Sequence, residues 1–273
     1  MPAVQLNRLK AQVNSLAWKF TRPQEFQTEL RELLEFYSDR TFRPGKESPS
    51  ARLPASYRVP ALVIRQVEQG LAPLCRENPQ AALILIETLW SDPYLEPRLL
   101  AALLLGKIDP QPPEMITGYL QRWCRPECEA VSLSALLEHG AHRMRREQSE
   151  HWFELLHLWL ADKNTAVQKI ALRAMLPAIQ DREFENLPPL FRMIEPLLKS
   201  PLPILQTELV EILQALAKRS PVEAAYLLRQ ALVGSTHPLT VRIVRRLLPL
   251  FPPEEQNRLR SLMSNIPTIP IKN

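Results

Sequence analysis

The chain has 273 residues, of which 45% are hydrophobic and 23% charged, the balance of a soluble globular protein with a sizeable core. Its apolar runs, such as 99–105, are too short to cross a bilayer, and its three cysteines (Cys75, Cys124 and Cys128) cannot form a disulfide framework, which places it in the cytoplasm. The net charge of +5 suits a polyanionic partner without specifying one.

From the N-terminus, apolar periodicity and stop signals predict helices over 4–18, 23–38, 58–77, 79–91, 93–107, 112–123 and 126–139. The series continues over 147–161, 164–179, 183–199, 201–219, 221–233, 238–250 and 253–264. In 164–179, Val167, Ile170, Ala171, Ala174, Met175 and Ala178 form one stripe; in 201–219, Leu205, Leu209, Ile212, Leu213 and Leu216 form another. No stretch alternates in the manner of a half-buried strand. The 27 prolines act as punctuation. Pro79, Pro93, Pro221 and Pro238 follow Asn78, Asp92, Ser220 and His237, each at an expected helix start where a missing N–H costs nothing. Ser220 and Glu223 also have capping-box spacing.

Two helices per module of roughly 35–45 residues is the period of a helical solenoid. The expected architecture is therefore all-α, a single right-handed α-α superhelix of HEAT-like helix pairs over residues 1–264. Residues 39–57, polar with three prolines, read as a surface loop, and 265–273 as a flexible tail.

Four segments, in order, resemble the family of HEAT-like-repeat DNA alkylation repair glycosylases. They are Tyr57–Ile64 (YRVPALVI), Leu89–Leu104 (LWSDPYLEPRLLAALL), Trp159–Ala171 (WLADKNTAVQKIA) and Ile204–Lys218 (ILQTELVEILQALAK). The resemblance implies a solenoid that cradles duplex DNA in its concave face and excises cationic N3- or N7-alkylated purines, with no cofactor. It also implies tryptophan faces beside the lesion and a carboxylate near the sugar. The chemistry is coherent, because ring faces attract cations and a carboxylate stabilises the positive charge that develops on the sugar.

The family's Trp–x–x–x–Asp pattern falls in Arg122–Ala130 (RWCRPECEA), which has no aspartate. A gapless register puts Pro126 and Ala130 at the two positions, whereas sliding by three gives Trp123 and Glu127 and keeps the spacing. In the second register Trp123 is the candidate cation-facing aromatic and Glu127 the candidate catalytic carboxylate. Lys169 stands where the family has arginine, keeping the charge without the planar fork. Ala166 replaces a neighbouring aromatic, and Glu211 falls near the second cleft tryptophan. Lys169 and Arg173 are candidates for the phosphate backbone, as are two basic clusters, Arg143, Arg145 and Arg146, and Arg242, Arg245 and Arg246.

Each feature also has a plainer reading. Trp90, Trp123, Trp152 and Trp159 suit inter-helix packing, Glu127 suits a helix's first turn, and the basic clusters suit a solvated face. Cys124, Cys128, His139 and His142 are of zinc-binding types but spaced poorly for a structural site, and no metal is expected. The expected function is DNA binding, directed at alkylated or altered duplex, with weak or absent base excision. The alternative is a non-enzymatic scaffold that takes a protein partner on its concave face.

Overall fold

The computed structural model describes residues 4–39, 55–235 and 237–264. The expected tail, and all but the ends of the expected 39–57 loop, lie outside them. Among the described residues the chain is all-α, with one isolated bridge between Ala55 and Tyr94 as its only β pairing. Its contacts divide it into two compact units, Met1–His151 and Trp152–Asn273.

The first unit contains α1 (Leu6–Ala17), α2 (Pro23–Tyr37), α3 (Ala61–Glu77), α4 (Pro79–Trp90), α5 (Leu95–Leu105), α6 (Pro113–Trp123), α7 (Ala130–Ala135) and α8 (His142–Glu147). Helices α1, α3, α5 and α7 pack in succession as one layer. Helix α2 packs on α4, and α4 meets α6 through stacked tryptophans, forming a second layer. The division falls within α9 (Ser149–Leu160). In the second unit, α10 (Thr165–Gln180), α12 (Gln206–Arg219) and α14 (Pro238–Leu247) form one layer. Helices α11 (Pro188–Lys199), α13 (Pro221–Val233) and α15 (Pro253–Ser264) form the other. The predicted stripes are buried except at Val167, which is half-buried in the first turn of α10: Ile170, Ala171, Ala174, Met175 and Ala178 are buried on α10, Leu209, Ile212, Leu213 and Leu216 on α12, and Leu205 in the 3-10 turn before it.

The proline signals divide into two kinds. Asn78 Oδ1 accepts from Ala81 N at 3.1 Å and His237 Nδ1 accepts from Leu239 N at 3.2 Å, so both residues cap the helices their prolines open. Pro221 does open α13, but Ser220 makes no side-chain cap, so the expected capping box is absent. Pro93 lies before α5: Asp92 Oδ1 takes Tyr94 N at 3.0 Å in a tight turn, delaying the helix to Leu95.

The largest departure is at 126–147. No helix begins at Pro126. Helix α7 starts at Ala130 and continues through a π turn, Leu136–Gly140, to α8, where no separate helix was expected. Arg145, only 3% exposed, donates to Glu138 O at 2.8 Å and to Leu137 O, satisfying carbonyls that the π turn leaves over. The π turn also lies against α5, since a Cβ on Gly106 would sit 2.1 Å from His139 O.

Candidate nucleic-acid interface

Trp123 is the last residue of α6 and Glu127 is exposed in the turn that follows. The two therefore share no helix, and the i, i+4 alignment that would give them a common face does not arise. Trp123 is half-buried and stacked on Trp90, with ring centroids 4.8 Å apart and planes 16° apart, and Tyr119 packs beside it at 4.9 Å. Arg122 covers the Tyr119 ring at 4.6 Å and pairs with Glu87 at 3.0 Å. Pro126 and Ala130, the positions of the other register, are both exposed. Trp152 and Trp159 are buried, as packing residues should be.

Next to the turn stands a carboxylate that sequence reading passed over. Glu129, immediately before α7, accepts from Arg98 Nη1 at 2.8 Å and from Ser132 Oγ at 2.5 Å. Burial pushes its carboxyl up, but the Ser132 hydroxyl and the Arg98 guanidinium outweigh that and hold it below the usual range. Arg98 also donates to Asp92 O at 2.7 Å, tying the start of α5 to the start of α7. Burial raises the thiols of Cys75, to about 12, and Cys128, to about 11, and Cys124 is raised as well. Among the described residues no three His, Cys, Asp or Glu side chains are gathered as a metal would require.

The basic candidates fall into three situations. Arg145 is buried within the fold, which corrects its expected place on a phosphate-facing surface. Arg143 is held by Glu147 through a fork at 2.7 Å on both nitrogens, and Arg146 is exposed at the end of α8. Arg242, Arg245 and Arg246 are all exposed on α14 and pair with no carboxylate among the described residues. Lys169 and Arg173 lie one turn apart on α10, converging on Glu208 Oε1 at 4.0 and 3.2 Å. Glu208, in the first turn of α12, is 3% exposed, and its Oε2 has no hydrogen-bond partner among the described residues.

Between α10 and α12 lies a polar groove of about 850 Å³ whose lining includes Gln180, Arg182, Glu211, Gln214 and Lys218. Glu211, expected at a cleft position, is therefore an exposed carboxylate among cations and amides. Between α11 and α13 a second groove, about 640 Å³, is mostly apolar and carries the exposed Val222 and Tyr226.

Charge is sorted by helix layer within each unit. Helices α10, α12 and α14 carry seven Lys/Arg against two Glu, whereas α11, α13 and α15 carry five against four. In the first unit α1, α3 and α5 carry five cations against three carboxylates, and α2, α4 and α6 carry two against six. Pairing on one surface and repulsion on the other would make the basic layer of either unit the natural side for a polyanion.

A family model described as DNA alkylation repair enzyme matches residues 57–233, a span containing all four segments singled out in the sequence. Neither the curated proteins nor the solved structures contain a match to this chain.

Proposed function

The chain belongs to the DNA alkylation repair enzyme family, and from that premise we propose that it binds duplex DNA, including alkylated or structurally altered duplex, with base excision weak or absent. The observation that carries the reading is the sorting of charge by layer, above all the seven cations against two carboxylates on α10, α12 and α14. Lysines and arginines along successive helices neutralise successive phosphates and release counterions. Such contacts give affinity and register without reading sequence. Arg242, Arg245 and Arg246 are the best placed for this, since no carboxylate among the described residues competes for them.

Weak excision rests on different residues. Cleaving a glycosidic bond needs a carboxylate held near the sugar. Glu127 is exposed in a turn, and Trp123 is engaged with Trp90 and Tyr119. Glu129 is better held, yet its oxygens already serve Arg98 and Ser132. The scaffold reading draws on one feature, the apolar groove between α11 and α13.

Duplex binding across a salt series, combined with release of base from alkylated DNA, tests the proposal. The expected outcome is binding that weakens steeply with salt and little or no released base. Absence of salt-dependent binding would overturn the DNA reading. Release of alkylpurine at the pace of an efficient glycosylase would overturn the weak-excision part.

A further inference from the structure

Glu208 is an odd feature of a surface that should attract phosphate. A carboxylate there repels the proposed ligand, and this one is 3% exposed with one oxygen unpartnered among the described residues. Burying a charge with an unsatisfied oxygen is costly unless the arrangement does something else. Its other oxygen holds Arg173 Nη2 at 3.2 Å and attracts Lys169 Nζ at 4.0 Å. Both cations keep a free side: Arg173 has 46% of its side chain exposed and Lys169 has 31%.

Resting on the DNA-binding reading, we propose that Glu208 is a positioning residue that braces Lys169 and Arg173 as a single phosphate-contact position. The carboxylate holds the guanidinium through Nη2 alone, and the Arg173 side chain stays 46% exposed. Lys169 is drawn to the same oxygen, so the two positive heads sit together rather than sweeping out separate volumes. Long cationic side chains lose rotamer freedom when they seize a ligand, and a brace removes part of that loss beforehand. The position at the first turn of α12 suits the brace, because the helix N-terminus favours a carboxylate there.

The inference separates cleanly from simple neutralisation because the two give opposite signs. If Glu208 only cancels charge, Glu208→Gln removes a repulsion and tightens duplex binding. If it positions, the same change loosens both cations and weakens binding by about threefold to tenfold, the scale of one net hydrogen bond. The experiment measures undamaged fluorescent duplex binding over a salt series for the full chain and for Glu208→Gln, Arg173→Lys, Arg173→Ala, Lys169→Ala and Glu208→Gln/Arg173→Ala. Arg173→Ala and Lys169→Ala should each reduce the salt slope by about 0.9. Arg173→Lys, which keeps the charge but loses the planar guanidinium that can hold Glu208 through one nitrogen and offer others to a phosphate, should weaken binding by a similar threefold to tenfold. Glu208→Gln should have a smaller effect once Arg173 is gone, because only Lys169 is then left to brace.

Tighter or unchanged binding by Glu208→Gln overturns the inference, as does full retention of its effect in the Arg173→Ala background. If thermal unfolding shows that Glu208→Gln has not folded, Arg173→Lys decides instead, and binding equal to the parent overturns it. A parent chain that binds duplex while Lys169→Ala and Arg173→Ala bind equally well defeats this inference alone. A parent with no salt-dependent binding defeats the DNA reading and this inference with it.

Discussion

At single residues the informative groups are those whose chemistry is already engaged. Glu129 has its carboxyl depressed by Ser132 and Arg98 against the pull of burial. A depressed carboxyl contributes stability at pH above its unfolded value of about 4.3, and loses it as pH falls through the lower folded value. Urea unfolding from pH 7 down to 3 should therefore show a steeper loss for the parent than for Glu129→Gln. At pH 7 the variant should be less stable by about 1–3 kcal/mol, since it leaves Arg98 with a weaker partner. The stacked Trp90 and Trp123 offer a second test. A double-mutant cycle with alanine at both positions should give a coupling of about 0.5–1.5 kcal/mol in stability. Thiol reagents at pH 8 should label Cys75 and Cys124 only after unfolding, because burial holds both thiols protonated and out of reach.

At the scale of elements, glycines separate close approach from plain helix. Gly106, at the end of α5, faces His139 O of the π turn so closely that a Cβ would stand 2.1 Å away. Backbone must shift to admit it, so Gly106→Ala should cost about 1–3 kcal/mol by thermal or urea unfolding. Gly118, in the interior of α6, meets nothing within 4 Å. Gly118→Ala should instead stabilise by about 0.5–1 kcal/mol, through helix propensity alone. The contrast tests whether the π turn is pinned against α5 as described.

For the whole molecule the proposed duplex binding turns on the distribution of charge among helix layers rather than on the net +5. Phosphate contacts are counted by the salt slope, at about 0.9 per phosphate. Replacing Arg242, Arg245 and Arg246 together with glutamine should lower that slope by up to about 3 while leaving stability nearly unchanged, since all three are exposed and unpaired among the described residues. The same substitutions on Arg192 of α11 and Arg258 of α15 should change the slope far less. Equal effects from the two sets would mean that layer sorting does not direct binding.

Periodicity and proline placement determined by themselves that the chain is all-α, where most helices lie, and which stripes on α10 and α12 are buried. These are properties of local backbone preference and of one face against another, so they are written within a few turns. The family resemblance was legible for a related reason, because helix-pair boundaries leave ordered local traces such as LWSDPYLEPR. Tertiary structure alone decided what happens at 126–147. There the Arg98–Glu129–Ser132 cluster depends on α5 lying against α7, a contact between residues some thirty positions apart, and the π turn abuts Gly106 at the end of the same α5. It likewise decided that Trp123 and Glu127 share no helix, that Arg145 is internal, and that Glu208 draws Lys169 and Arg173 together across two helices. Spacing along a chain specifies which residues share one helix face, but a charged cluster between helices is set by packing, and packing is where this protein's candidate site was made.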